Sequence, residues 1–110
     1  MKNEIEFVST LPLPLSIAEE ATIISRIDDP SMKTLLIERN LWTVNQKIKK
    51  LNFSKINISD LINIGTIGLI KAVNILTPSD SNINLYDHIS QIIEKELTEY
   101  IRFHKKLFIG

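Results

Sequence analysis

The sequence predicts an all-α fold, a compact bundle of about four helices. Three observations predict it. Only three glycines and four prolines punctuate 110 residues. No segment alternates apolar and polar residues with the period of a strand, whereas apolar residues recur at three-and-four spacing over long stretches. A chain of this length can build one domain around one modest core.

Taken in order, residues 1–15 contain Pro12 and Pro14 and are expected to form an extended N-terminal arm. The first helix is expected over residues 16–28. Ser16 followed by Glu19 is a capping-box pattern, in which each side chain satisfies an orphaned backbone N–H. Ile17, Ala21, Ile24 and Ile27 supply its apolar stripe, and Asp29-Pro30 ends it, because the residue before proline is pushed out of helical geometry. The second helix is expected over residues 32–51 with Ser31 as cap. Leu36, Ile37, Leu41, Val44, Ile48 and Leu51 form its core face. Residues 52–57 read as a polar connector. The third helix should start at Ser59 or Asp60, where an oxygen caps and an acid suits the positive end of the dipole, and run to about Leu76, before Pro78. After a loop over 77–82, the fourth spans residues 83–106. Leu85, Ile89, Ile92, Ile93, Leu97, Tyr100 and Ile101 face inward on it, and Arg102, Lys105 and Lys106 lie at its negative end. The helical domain is thus placed at 16–106, with 107–110 as a C-terminal tail.

Composition bounds the function. The chain is 44% hydrophobic and 24% charged, as in globular proteins. No apolar run approaches the roughly 20 residues of a membrane span, and Glu4 and Glu6 stand where a secretory signal would be basic. A cytoplasmic protein is expected. With no cysteine, disulfides, thiolate metal sites and thiol nucleophiles are excluded together. The net charge is zero but unevenly spread. Residues 1–30 hold Glu4, Glu6, Glu19, Glu20, Asp28 and Asp29 against Lys2 and Arg26. Between Arg39 and Ser59 there is no acid, while Arg39, Lys47, Lys49, Lys50 and Lys55 are basic. Phosphate neutralisation supplies most nucleic-acid affinity, so a neutral chain that touches DNA needs a partner to supply much of the hold. Otherwise the lysines are solvated helix surface.

Residues 60–73, DLINIGTIGLIKAV, are unusual for a surface helix. Leu61, Gly65, Gly68, Leu69 and Ala72 share one face. Glycine inside a helix costs about 1 kcal/mol relative to alanine, so two at this spacing point to close approach of another helix. A second stripe, Ile64, Ile67 and Ile70, lies on a different face beside Asn63 and Lys71. A helix apolar on more than one side is either deeply buried or covers a partner as well as its own core.

The same segment resembles the core-binding helix in region 2 of sigma-70 family RNA polymerase sigma factors, especially those of sporulation. LIERNLWTV at residues 36–44 is similar to the helix leading into it, and Leu13-Pro14-Leu15-Ser16 resembles that family's entry. The resemblance covers residues 13–106. It implies a sigma region 2-like helical domain that binds core polymerase through a coiled-coil in the clamp of the largest catalytic subunit. The implied polymerase-binding face is Asp60, Asn63, Ile64, Thr66, Ile67 and Ile70. Asp60 would meet a basic residue or cap its own helix, Asn63 and Thr66 would hydrogen-bond, and the isoleucines would bury apolar area.

The resemblance also implies contact between the fourth helix and the non-template strand of the −10 promoter element, through base-stacking aromatics and phosphate-following bases. Residues 84–102, NLYDHISQIIEKELTEYIR, depart from that pattern. His88 stands at a tyrosine position and Gln91 at one often arginine or tryptophan. Tyr86 takes the place of a small residue, and Trp42 that of a basic one. Glu94, Glu96, Tyr100 and Arg102 keep the pattern. The candidate DNA-binding residues are Tyr86, His88, Gln91, Lys95, Arg102 and Lys105, although Asp87, Glu94 and Glu99 would repel phosphate. On the family's pattern later sigma domains would follow, so the chain is a fragment, a subunit whose partner supplies those domains, or a diverged relative. The expected partners are therefore core RNA polymerase, promoter DNA held weakly or with help, and a second subunit. The alternative is a sigma-like interaction protein that docks on polymerase or another protein and modulates transcription without melting a promoter. Catalysis has no support: there is no phosphate loop, nucleophile elbow or metal signature, and His88 and His104 are too far apart along a helix to share a metal. No cofactor is expected.

Overall fold

The computed structural model describes residues 13–51 and 56–109, the side chains of 105–109 excepted. The first twelve residues of the expected arm lie outside this set, as do residues 52–55 of the connector. Among the described residues there are five α-helices, one 3-10 turn and no strand. The four predicted rods are present, the second of them broken in two.

Helix α1 is Ile17–Ser25. The capping box forms as read: the Glu19 N–H donates to Ser16 Oγ at 3.1 Å and the Ser16 N–H to Glu19 Oε1 at 2.9 Å. The helix ends earlier than expected, and Ile27 is reached through a turn in which it is still fully buried. The reason lies downstream. Asp29, not Ser31, caps α2 (Pro30–Arg39), its carboxylate accepting from the Ser31 N–H at 2.9 Å and the Ser31 hydroxyl at 2.8 Å. Proline is tolerated at the first helical position, because its missing N–H would have been an orphan there. The chain must therefore leave α1 in time to set Asp29 extended.

The expected long second helix is interrupted at Asn40. Asn40 is 3% exposed, and its side-chain amide donates to the Leu36 carbonyl at 2.8 Å. A short amide that bonds nearby backbone offers the chain an alternative to the helical ladder. Helix α3, Leu41–Leu51, begins beyond it.

Helix α4 is Ile58–Asn74, capped by Asn57, whose side-chain oxygen accepts from the Ser59 N–H at 2.8 Å. The cap is thus two residues before the first expected position, and Asp60 falls in the first turn. The helix stops at Asn74, and Leu76 is buried outside it. The loop holds the 3-10 turn Pro78–Asp80, closed by the Thr77 N–H donating to Asp80 at 2.8 Å. Helix α5, Leu85–Ile109, starts after Asn84, which accepts from the Asp87 N–H at 3.1 Å. It starts later than expected and runs past Lys106, so the predicted tail over 107–110 is helix as far as Ile109.

The core joins all five helices through Ile24, Leu36, Val44, Leu69, Ile89 and Ile93. Helices α4 and α5 make the most extensive contact and run antiparallel, Gly68 facing Ile93 and Ala72 facing His88. The glycines explain the fit. A Cβ on Gly68 would stand 3.0 Å from the Ile93 Cα, so α5 backbone occupies the space a side chain would need. A Cβ on Gly65 would stand 2.7 Å from Val44 Cγ1, so there the close neighbour is a side chain of α3.

Candidate docking helix and the α3–α5 seam

Helix α4 is buried along Leu61, Gly65, Gly68, Leu69, Ala72 and Val73. Its opposite side is open. Asp60 and Asn63 are exposed, Ile67 is 44% exposed and Ile70 38%. Asn63, Ile67 and Ile70 follow one another at helical spacing and make a continuous line, polar at its start and apolar beyond. Ile64 behaves differently from its two neighbours: it is half-buried and packs against the core. Thr66 is half-buried too, and its hydroxyl donates to the Ile62 carbonyl at 2.7 Å, so only its acceptor side is free for another molecule. Of the six candidates, two isoleucines and two polar residues stand clear of the fold.

The six candidate DNA contacts fall into three groups. Tyr86 and His88 are held by the protein itself. The Tyr86 hydroxyl donates to Gln46 Oε1 at 2.7 Å, and its ring stacks on Trp42 with centroids 5.9 Å apart and planes 15° from parallel. His88 Nε2 donates to the Ala72 carbonyl at 2.8 Å and ties α5 to α4. His88 is neither a free surface residue nor available as a stacking ring. Gln91, Lys95 and Arg102 are exposed along one side of α5. The Lys105 side chain lies outside the described residues. Tyr100 is half-buried against the core, its ring 5.3 Å from that of His104.

The seam between α3 and α5 contains a group that sequence reasoning did not assemble. Lys47 is 7% exposed, and its ammonium lies 3.1 Å from Glu94 and 5.2 Å from the centre of the Tyr86 ring. Burial works against the Lys47 charge, but hydrogen bonds and charge from Glu94 and Tyr86 outweigh it and hold the ammonium above its ordinary pKa. Burial likewise pushes the Tyr86 phenol up, and the nearby Lys47 ammonium, with the charge of Lys50, brings it below its usual value. The acids of α5 are thereby partly answered from inside the protein, Glu94 by Lys47 and Glu96 by Lys71 at 3.0 Å. The signal that could have found this group was the pair of unusual aromatics. Trp42 and Tyr86 each departed from the expected residue type, and in space they touch. Lys47 carried no such signal, because nothing in helical spacing marks a lysine as buried.

No group of three or more His, Cys, Asp or Glu residues able to hold a metal occurs among the described residues. No helix among them is long and apolar enough to cross a membrane.

The fold and this flank define an all-α module with two half-exposed isoleucines along the outer face of one helix. Relatives give that class its family. The chain is 40% identical over 99 residues to the RNA polymerase sigma-E factor of Clostridium acetobutylicum, a match covering 88% of this chain and 42% of the relative. It is 34% identical over 100 residues to the RNA polymerase sigma-28 factor of Bacillus thuringiensis subsp. kurstaki, covering 89% and 42%. It is 33% identical over 91 residues to the RNA polymerase sigma-K factor of Bacillus subtilis, covering 81% and 31%. Over most of its length the chain belongs to the sigma-70 family of RNA polymerase sigma factors, matching one region of those relatives. It spans less than half the length of these curated relatives. No protein-family model matches it.

Proposed function

We propose that the chain is a sigma factor-like transcription-initiation protein, working in the cytoplasm, that binds core RNA polymerase through the open flank of α4. Asp60, Asn63, Ile67 and Ile70 are the contacting residues, Ile64 and Thr66 support them from the edge, and the receiving element is the clamp coiled-coil of the largest catalytic subunit. The observation that carries this reading is the exposure of Ile67 and Ile70 at 44% and 38% on a helix whose other side is wholly buried. Fully burying an isoleucine is worth roughly 1.5–3 kcal/mol, so two half-exposed ones can anchor a small hot spot within a larger contact. The test is capture by core polymerase. Ile70→Glu is expected to abolish capture while the circular dichroism spectrum and unfolding midpoint stay close to those of the unaltered protein. Normal capture by a folded Ile70→Glu protein refutes this face.

Contact with the −10 non-template strand is the finer part of the proposal, and it falls to Gln91, Lys95, Arg102 and Lys105. A second reading is favoured by a specific observation: Tyr86 and His88 are both engaged internally. On that reading the protein docks on polymerase and modulates transcription without melting the promoter. Fluorescence anisotropy of a −10 non-template oligonucleotide separates the two. Binding in the presence of core polymerase that is lost in the Arg102→Ala/Lys95→Ala double variant supports strand contact. Binding that those substitutions leave unchanged supports docking alone.

A further inference from the structure

Helix α1 leaves a trough on the side where it meets the 3-10 turn and the start of α5. Ala21, Ile24 and Leu85 form its floor, Ile17 and Ile83 its rims, and Glu20 lies along it. The rims are open: Ile17 is 85% exposed and Ile83 38%. Glu20 is the one charged residue among those that line it, and the neighbouring sequence is mainly acidic. Residues 13–30 and 77–87 contain Glu19, Glu20, Asp28, Asp29, Asp80 and Asp87, with Arg26 as the single base. Glu19, Asp29 and Asp80 are spoken for, each bonded to backbone N–H groups at a helix or turn start. Glu20 is not. It is half-buried and meets no cation or hydrogen-bond donor among the described residues. Loss of water raises its pKa, the mark of a carboxylate that has been partly dried without being given a partner.

These features select the occupant. Two exposed isoleucines over an apolar floor ask for apolar side chains, and a half-dried, unpartnered carboxylate asks for a cation. We propose that the trough docks a basic amphipathic peptide segment of a partner protein, its apolar side chains lying between Ile17 and Ile83 and a lysine or arginine meeting Glu20. Nucleic acid does not suit a surface of this sign, since phosphate would face uncompensated acid. A second copy of the chain does not suit it either: a two-fold contact places the same patch against itself, and neither copy would bring a cation from this patch to Glu20. The trough shares no residue with the open flank of α4, so this inference goes beyond the polymerase-docking reading and does not depend on it.

The test uses the full chain and two fluorescein-labelled 18-residue helical probes, one of leucine and lysine, the other of leucine and glutamate in the same pattern. Anisotropy titration is expected to show saturable binding of the leucine–lysine probe, weakened by salt, and none of the leucine–glutamate probe. Glu20→Lys and Ile17→Asp are each expected to reduce affinity tenfold or more. Both positions are on the outer turns of α1, and Ile17 is so exposed that its loss leaves the core untouched. Ile70→Glu is expected to bind the probe as the unaltered protein does, which separates this site from the α4 flank. Equal affinity of the Glu20→Lys and unaltered proteins overturns the proposal, as does the absence of saturable binding. So does a concentration-dependent dimer, seen by sedimentation equilibrium, that Ile17→Asp abolishes, since the trough would then be a self-association face.

Discussion

Replacing Gly65 by alanine tests the packing that turns the isoleucine flank of α4 outward. Taken alone, alanine should stabilise the helix by about 1 kcal/mol, because glycine loses more backbone freedom on folding. The neighbour reverses the sign. The added Cβ would stand 2.7 Å from Val44 Cγ1, against roughly 3.5–4.0 Å for carbon atoms in comfortable contact. Val44 is fully buried, and a β-branched side chain in a helix has essentially one χ1 well, so it cannot swing aside. Overpacking of this kind costs about 1–3 kcal/mol, which leaves Gly65→Ala destabilised by about 1 kcal/mol net of the propensity gain. Val44→Ala alone removes two methyl groups at about 0.8 kcal/mol each and leaves a void, for a loss of about 2–3 kcal/mol. In the double variant the new methyl enters the space the valine vacated. The clash disappears, the propensity gain survives, and part of the void is filled. The double variant should therefore be no less stable than Val44→Ala alone, with a favourable coupling of about 1–2 kcal/mol. Urea unfolding followed by circular dichroism measures all four proteins. A Gly65→Ala protein as stable as the unaltered one, or additive losses in the double variant, would refute the close-approach argument.

Four further outcomes follow from the same geometry. Glu94→Gln should destabilise by about 1–2 kcal/mol, limited by the half-open setting of Glu94, whereas Lys47→Met combined with Glu94→Gln should lie near the unaltered protein, because no uncompensated charge is then left inside; urea midpoints decide between these. Since the Lys47 pKa is raised on folding, its contribution is fully present below the ordinary lysine value of about 10.4 and is lost as pH rises through the folded value; the alkaline fall in melting temperature should be shallower in Lys47→Met. The Glu19 pKa is lowered by its bonds to Ser16, so the cap stabilises above the ordinary carboxylate range and fades as pH falls through the folded value; Ser16→Ala should flatten that acid limb in a thermal melt series. Trp42 is the single tryptophan, and its stack on Tyr86 should make its emission shift to the red in Tyr86→Ala while Tyr86→Phe leaves it in place.

Helical periodicity told the four rods and most of the core because burial of one stripe is a property each segment shows by itself. Leu36, Val44, Ile48, Ile89, Ile93 and Leu97 all face inward as their spacing implies. The capping box at Ser16 was legible for the same reason, both of its bonds being three residues apart. The other two expected caps lie two or three residues beyond the observed ones, because Asp29, Ser31, Asn57, Ser59 and Asp60 are all competent and only the path of the preceding chain selects among them. The break at Asn40 was invisible: its polar side chain lies in an apolar period, and its capture of the Leu36 carbonyl depends on burial. At the candidate site the residues alone leave burial and exposure of the second stripe open, and the family resemblance places Ile64 with Ile67 and Ile70, whereas the structure exposes only the latter two. Around the helix axis Ile64 lies between the face of Leu61 and Gly65 and that of Ile67 and Ile70, and contact with neighbouring helices decides which side of the boundary it takes.

On the proposed function, the placement of charge argues for an order of events on polymerase. The chain is neutral overall, so it brings no long-range attraction to DNA. The basic stretch of α3 has already spent Lys47 on Glu94, within the α3–α5 seam. On α5 the exposed Lys95 and Arg102 stand among the acids Asp87, Glu94 and Glu99, a mixture that gives little counterion release when phosphate approaches. Two rings that could have stacked on bases are held in place by Trp42, Gln46 and Ala72. None of these restraints touches the α4 flank, where Ile67 and Ile70 are open without any rearrangement. Protein contact through α4 needs no conformational change, whereas strand contact through α5 needs added positive charge, release of Tyr86 or His88, or both. Docking on polymerase should therefore come first, with any grip on the promoter strand conditional on it. The salt dependence of oligonucleotide binding should accordingly be that of the polymerase complex, with the isolated chain contributing almost no slope.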